Sequence, residues 1–159
     1  GDHRDLHSFP TRRSSDLYAP AGSRGIGPGR ASLYGVRMVD YLANADGHIM
    51  VIPQIEHTLA VKRIDAILAV PGIDVAFIGP YDLSCSMGLP GQGGHPDVEK
   101  AISIVLKAAE HAHVAPGIFC MDPEAARKRA EQGFRFVALG LDSVYFDRAI
   151  SGSLDRVRG

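Results

Sequence analysis

The chain has 159 residues and a formal net charge of −1, with 45% hydrophobic and 22% charged residues. This composition predicts one folded domain. The net charge gives no strong basic field of the kind with which proteins bind nucleic acid or anionic membranes. No apolar run approaches the roughly 18 residues that cross a bilayer, so we expect neither nucleic acid nor a membrane among its partners. Cys85 and Cys120 are the only cysteines, too few for a disulfide framework, which favours a cytoplasmic protein.

The N-terminal stretch GDHRDLHSFPTRRSSDL is polar and lacks the periodicity of the rest of the chain. We interpret residues 1–17 as a non-native or disordered segment, because SFPTRRSSDL resembles the translated adapter sequence found at the broken ends of assembled genes. A natural disordered tail is the alternative. Residues 18–159 are expected to form the folded part.

Two segments lead into the first strand. Residues 18–29, YAPAGSRGIGPG, are rich in glycine and proline and predict a loop. Residues 30–45 predict a helix that closes at Asp46-Gly47. The apolar face of this helix is expected to contain Leu33, Val36, Val39, Tyr41 and Leu42.

Residues 49–55 form a nearly continuous apolar run, which is typical of a strand covered on both faces of a parallel sheet. Side chains alternate along a strand, so Gln54 and Glu56 share one face. Ile55 and His57 share the other face, which turns His57 away from Glu56.

A helix and a second strand follow. Apolar spacing predicts a helix over residues 58–70 and a buried strand over residues 74–78. Gly79 and Pro80 stop this strand. Asp82 then leads into a short helical turn whose free backbone N–H groups point toward the same edge of the sheet.

The remaining chain repeats the alternation of helix and strand. We predict a helix from Pro96, a strand over residues 116–120, a helix over residues 122–132, a strand over residues 134–139, and a last helix that begins at Asp142 and frays near Gly152. The helix from Pro96 is expected to bury Val98, Ala101, Ile102, Val105 and Ala109.

This order predicts an α/β fold with about four parallel strands. An open doubly wound sheet and a (β/α)₈ TIM barrel both fit the pattern. A complete barrel takes about 250 residues, so we interpret the chain as a partial TIM barrel that corresponds to the second half.

Glu56 and Asp82 follow neighbouring predicted strands. The carboxyl ends of parallel strands meet at one edge, so the two carboxylates are expected to face one space. Two carboxylates with water oxygens suit Mg²⁺ or Mn²⁺ and leave positions for a chelating 2-keto acid. The same spacing fits two acids that only cap the following helices, and the residues alone leave this choice open.

Several stretches resemble one known family. SRGIGPGRAS, PQIE, VPGIDVAFIGPYDLS, MGLPG followed by HPDVEKAI, and GFRFVALGLD, within residues 18–149, are similar to segments of the class II, metal-dependent pyruvate aldolases. This family, of the HpcH/HpaI aldolase/citrate lyase type, is typified by 2-dehydro-3-deoxyglucarate aldolase and 4-hydroxy-2-oxoheptanedioate aldolase. PQIE and IGPYDLS at this separation are its most specific motifs.

The resemblance implies a parent enzyme that reversibly cleaves a 4-hydroxy-2-keto acid into pyruvate and an aldehyde. It implies Mg²⁺ or Mn²⁺, with Co²⁺ as a further candidate, bound by Glu56 and Asp82. It also implies a homo-oligomer. The substrate-binding residues that it implies are Gln54, Gly79, Pro80, Tyr81 and Asp82.

The family's base histidine and its enolate-stabilising arginine lie in the first half of the barrel. We therefore expect no catalytic residue of this kind here and no aldolase activity from the chain alone. The seven histidines are interpreted as surface or structural residues. No lysine is placed for a Schiff base, and Cys85 is expected to pack as a small residue.

Two alternatives remain open at this point. One is an acyl-CoA ester lyase of the citrate lyase beta type, and the other is a non-catalytic half-barrel binding module. A half barrel exposes two strand edges, so we also expect this chain to dimerise or aggregate.

Overall fold

The computed structural model describes residues 17–159, so the interpretation of residues 1–16 lies outside the described part. It contains one sheet of four parallel strands in the order β1-β2-β3-β4. The strands are β1 (Gln54–Ile55), β2 (Val75–Ile78), β3 (Ala115–Cys120) and β4 (Phe136–Leu139). The helices are α1 (Met38–His48), α2 (Thr58–Lys62), α3 (Ile64–Leu68), α4 (Pro80–Ser86), α5 (Pro96–His111), α6 (Pro123–Glu131) and α7 (Asp142–Arg158).

The sheet has two different faces. Ile55, Ile78 and Ile118 are fully buried and join the core that packs against the helices. Phe77 and Phe136 lie on the other face, where their rings meet edge to face with centroids 5.9 Å apart. A parallel sheet with helices on its outer face and aromatic side chains on its inner face is half of a (β/α)₈ barrel, as predicted from the sequence.

The predicted helix over residues 30–45 is wrong in its first half. A 3-10 turn covers Arg30–Ser32, and α1 begins only at Met38. Leu33 and Tyr34 have φ values of 49° and 55°, a left-handed conformation that no helix of L-residues can continue through. Leu33, Val36 and Val39, predicted to face the core, are 55%, 85% and 82% exposed, so the expected apolar face is wrong at these three positions.

Strand β1 is shorter than the predicted strand over residues 49–55. Only Gln54–Ile55 forms ladder pairs, although Val51 and Pro53 carbonyl groups still accept hydrogen bonds from Asp74 and Phe77 N–H groups at 3.0 Å each. Coverage on both faces is also wrong here, because Met50 and Ile52 are 57% and 37% exposed while Ile55 is fully buried.

Two further helix boundaries differ from expectation. The helix predicted over residues 58–70 divides into α2 and α3, because Arg63 leaves helical geometry with φ −114° and ψ 19°. Helix α7 does not fray near Gly152 but continues to Arg158. Glycine costs about 1 kcal/mol within a helix, which does not end α7 at Gly152.

Helix α5 packs as predicted. Its buried residues are Val98, Ala101, Ile102, Val105 and Ala109. Within the described residues, no helix combines the length and apolarity that crossing a membrane needs.

Helices α5 and α6 are joined by an ion pair. Arg129 Nη1 donates to Glu99 Oε2 at 2.8 Å, and Nη2 donates to the other carboxylate oxygen. The Arg129 side chain is only 13% exposed. The hydrogen bonds from Arg129 hold the pKa of the Glu99 carboxyl below its usual range.

We expect Glu99→Gln to lower the free energy of unfolding by about 1 kcal/mol near neutral pH, because the variant leaves Arg129 without its charged partner. The pKa of Glu99 is lowered in the folded state, so its stabilisation is complete above the ordinary glutamate pKa and is lost as the pH falls through the folded value. Urea unfolding of both proteins at about pH 7 and about pH 3 measures this. The difference should shrink at the lower pH, and an equal difference at both would contradict the assignment.

Candidate active site

Strands β1 and β2 bring the predicted site residues to one edge of the sheet. Ile55 lies opposite Ile78 in the parallel register, and the Gly79 N–H donates to the Ile55 carbonyl at 3.4 Å. Glu56, the residue after β1, therefore lies beside Gly79, the residue after β2. Asp82 follows in the first turn of α4, so both acids belong to the carboxyl edge.

Gly79 lies directly beneath two polar side chains of the neighbouring strand. A Cβ atom built on Gly79 would lie 2.8 Å from Gln54 Nε2 and 3.3 Å from Glu56 Oε2. Gln54 and Glu56 thus share one face of β1, as the alternation predicted. The φ of Gly79 is −98°, which any residue adopts, so glycine is needed here for space and not for its backbone freedom.

The first turn of α4 presents two free donors. Pro80 at its start has no N–H, and the first internal bond runs from Leu83 N–H to the Gly79 carbonyl at 2.9 Å. Within residues 17–159, the N–H groups of Tyr81 and Asp82 have no hydrogen-bond acceptor. Tyr81 itself is 66% exposed, so an anion approaching from solvent can reach both N–H groups.

The two acids at this edge have no partner among the residues that the structure describes. The side chain of Glu56 is half-buried and that of Asp82 is exposed, and neither makes an ion pair or hydrogen bond with any residue that the structure describes. Oxygen donors of this kind suit Mg²⁺ or Mn²⁺. The donor set is small, since the described part of the chain holds no group of three or more His, Cys, Asp or Glu side chains fit for a metal.

Metal binding and helix capping were the two roles considered for these acids, and the structure excludes capping for Glu56. His57, not Glu56, caps α2 by accepting the Leu59 N–H at Nδ1, 3.1 Å away. Helix α4 has no side-chain cap, although Asp82 lies in its first turn, where a negative charge is favourable. The cap interpretation is thus wrong for Glu56.

Each histidine in residues 17–159 has a position that fits a structural or surface role. His95 caps α5 by accepting the Asp97 N–H at 3.2 Å, just as His57 caps α2. His48 and His111 end helices that run toward the amino edge of the sheet, and His113 follows in the turn before β3. These three residues lie at the opposite edge from Glu56.

One smaller expectation is wrong. Cys85 does not pack as a small residue but is exposed on α4. Cys120 is the buried cysteine, and burial raises the pKa of its thiol.

Sequence reasoning did not find Ser86, whose hydroxyl oxygen accepts the Thr58 N–H at 3.2 Å. This bond joins α4 to the start of α2 across 28 positions of the chain. No local pattern signals such a contact, because serine at the end of a helix usually faces solvent.

The outer helices, the parallel sheet and the polar residues at its carboxyl edge place the chain in the class of (β/α)₈ barrel proteins. Residues 13–149 match the family described as HpcH/HpaI aldolase/citrate lyase. The chain belongs to this family, which confirms the resemblance stated above.

Three similar proteins illustrate the relationship. The 2-keto-3-deoxy-L-rhamnonate aldolase of Klebsiella pneumoniae is 41% identical over 89% of this chain and 53% of its own length. The hydroxypyruvate/pyruvate aldolase of Paraburkholderia phytofirmans is 41% identical over 96% of this chain and 57% of its own. A crystal structure of a family protein from Burkholderia cenocepacia superposes with a TM-score of 0.87 at 37% identity, covering 96% of this chain and 61% of that one. The chain therefore spans just over half the length of the curated relatives.

Proposed function

We propose that this chain carries the metal- and pyruvate-binding part of a class II aldolase, an enzyme that reversibly cleaves a 4-hydroxy-2-keto acid into pyruvate and an aldehyde. The observation that carries the proposal is the meeting of Gln54, Glu56, Gly79 and Asp82 at one edge of the sheet. Relatives that are 41% identical are named as aldolases, which supports the same reaction class here.

Glu56 and Asp82 would hold Mg²⁺ or Mn²⁺, with Co²⁺ as a further candidate. Both acids have no protein partner among residues 17–159, so a cation replaces only water at their oxygens. When bound, the metal would supply Lewis acidity that stabilises the negative charge developing on the keto oxygen of the substrate.

The chain's own residues bind and orient the pyruvate part of the substrate. The Tyr81 and Asp82 N–H groups, which follow Pro80, donate to its carboxylate, because they are free and lie at a helix start. Gln54 offers an amide beside Gly79 to orient the keto acid, and the missing Cβ of Gly79 leaves room for close approach.

Proton transfer is assigned to groups outside these four strands. The histidines of residues 17–159 cap helices or lie at the amino edge, so none of them stands at the proposed site as a free base. We infer that a base and an enolate-stabilising cation come from the other half of the complete barrel, as the family resemblance implies.

Calorimetric titration with pyruvate tests the proposal. Pyruvate should bind measurably in the presence of Mn²⁺ and at least about tenfold more weakly without it, since the keto acid chelates the metal. Gly79→Ala should fold normally, because only mobile side-chain ends must shift, and should weaken pyruvate binding by about tenfold. Binding that is independent of Mn²⁺ would overturn the proposal.

Gly93→Ala is the matched control for Gly79→Ala. Gly93 also lies near Pro80, but a Cβ there would keep an ordinary 3.8 Å from the proline ring. The control should bind pyruvate as the wild type does. Equal weakening in both variants would remove the assignment of Gly79 to the site.

A further inference from the structure

Two hydrogen bonds cross from one proposed ligand segment to the other. The first is the bond at the end of the sheet ladder, from the Gly79 N–H to the Ile55 carbonyl, at 3.4 Å. The second runs from the Thr58 N–H to Ser86 Oγ, at 3.2 Å. The first lies just before Glu56 and Asp82 in the chain and the second just after them.

These bonds close a ring made of the two backbone segments and the Ser86 side chain, and both acids belong to this ring. One side of the ring contains residues 55–58 with Glu56, and the other contains residues 79–86 with Asp82. Asp82 and Ser86 are four residues apart on one helix, so they lie on the same face one turn apart. The ring therefore fixes the distance between the two segments at both ends.

A second hydrogen bond orients the Ser86 hydroxyl for its contact with the Thr58 N–H. This hydroxyl donates to the Leu83 carbonyl at 2.8 Å, which orients the oxygen's lone pairs toward Thr58. Ser84 supports the same helix from its buried position by donating to the Tyr81 carbonyl at 2.7 Å. Both serines thus form hydrogen bonds within the short helix that carries Asp82.

The Thr58 N–H depends on Ser86. At the start of α2, the Leu59 N–H is accepted by His57 Nδ1, and the next two N–H groups are accepted by the His57 carbonyl. Ser86 Oγ is the acceptor for the remaining donor, that of Thr58, among the described residues. Its removal leaves this half-buried N–H without a protein partner.

We propose that Ser86 is a positioning residue that fixes the separation of Glu56 and Asp82 for a shared divalent cation. This inference rests on the proposed function, because it assumes that the two acids bind one ion. Ser86 does not touch the ion in this proposal. It acts by tying the segment that follows Glu56 to the helix that carries Asp82.

The test compares Ser86→Ala with Ser86→Thr, which keeps the hydroxyl, and with Ser103→Ala, an exposed serine of α5. Hydrogen exchange of the Thr58 amide is measured without metal, and Mn²⁺ affinity is measured by electron paramagnetic resonance. Ser86→Ala should speed the Thr58 exchange by about tenfold and weaken Mn²⁺ binding by about tenfold, the lower end of the effect known for residues that orient metal ligands. Ser86→Thr and Ser103→Ala should match the wild type in both.

The possible outcomes distinguish the positioning role of Ser86 from the metal site of the proposed function. If the wild type binds Mn²⁺ and Ser86→Ala binds it equally well, the positioning role is overturned while the metal site stands. If Thr58 exchange is unchanged in Ser86→Ala, the link itself is refuted. If the wild type binds no Mn²⁺, the proposed function fails, and the positioning role fails with it.

Discussion

Glu56→Gln and Asp82→Asn should each weaken Mn²⁺ binding by about 100-fold or more. Both substitutions keep the shape of the side chain and remove its charge, so they test the ligand role without opening space. Loss of a residue that merely orients a ligand costs 10- to 100-fold in affinity, and loss of a ligand charge should exceed that. Neither acid has an ion-pair partner in residues 17–159, so we expect little change in the free energy of unfolding.

Asp65→Asn provides the matched control for these two variants. Asp65 is also an exposed acid in the first turn of a helix, but it lies on α3 and faces solvent. Its removal changes the net charge by the same amount as the test variants do. Equal losses of affinity in all three variants would mean that Mn²⁺ responds to overall charge and not to this site.

The chain alone should release pyruvate from a 4-hydroxy-2-keto acid at a rate about 100- to 10,000-fold below that of the Klebsiella pneumoniae relative assayed beside it. This range is the contribution that a positioned acid or base makes to catalysis. The reason is that each histidine in the described part of the chain lies at a helix cap or at the amino edge. Coupling pyruvate to a lactate dehydrogenase assay measures the rate.

A rate equal to that of the relative would contradict this expectation and would place a base within the chain. In that case, His57→Asn and His95→Asn identify it, since asparagine also caps helices. Both variants should retain the fold of the wild type. The variant with the larger loss of rate would identify the histidine whose imidazole gives up its capping hydrogen bond and accepts a proton from the substrate.

The repeat of strand and helix could be predicted from sequence because burial on both faces of a parallel sheet leaves an apolar run. The central strand β2 was found by this signal, and the buried face of α5 was found by the helical spacing of its apolar residues. The shortness of β1 could not be found in the same way. Its apolar run over residues 49–55 reflects partial burial at an edge, which looks the same in the sequence as full burial in a central strand.

Backbone conformation at the start of the described chain was also beyond sequence reasoning. Leu33 and Tyr34 adopt positive φ values, a choice that costs about 1–2 kcal/mol per residue and that only surrounding structure can stabilise. An apolar spacing that fits a helix therefore gave a wrong prediction there. The prediction that the last helix frays near Gly152 was wrong for a different reason, because a single glycine was given too much weight against the helix-forming residues around it.

The candidate site was predictable to the extent that topology determines it. Consecutive parallel strands must end at one edge, so Glu56 and Gly79 had to meet. The contact between Ser86 and Thr58 depends on how α4 packs against α2, which is a tertiary property with no local signature. The expectation that the two exposed edges of the sheet lead to self-association stays a prediction, which sedimentation at several protein concentrations would test.

A crystal structure of the protein grown with Mn²⁺ and pyruvate tests the central claim most directly, since anomalous scattering locates the metal without ambiguity. The account predicts one ion in direct contact with an oxygen of Glu56 and an oxygen of Asp82, with pyruvate chelating that ion beside Gly79. An ion bound elsewhere, or two separate ions with one acid each, would contradict it.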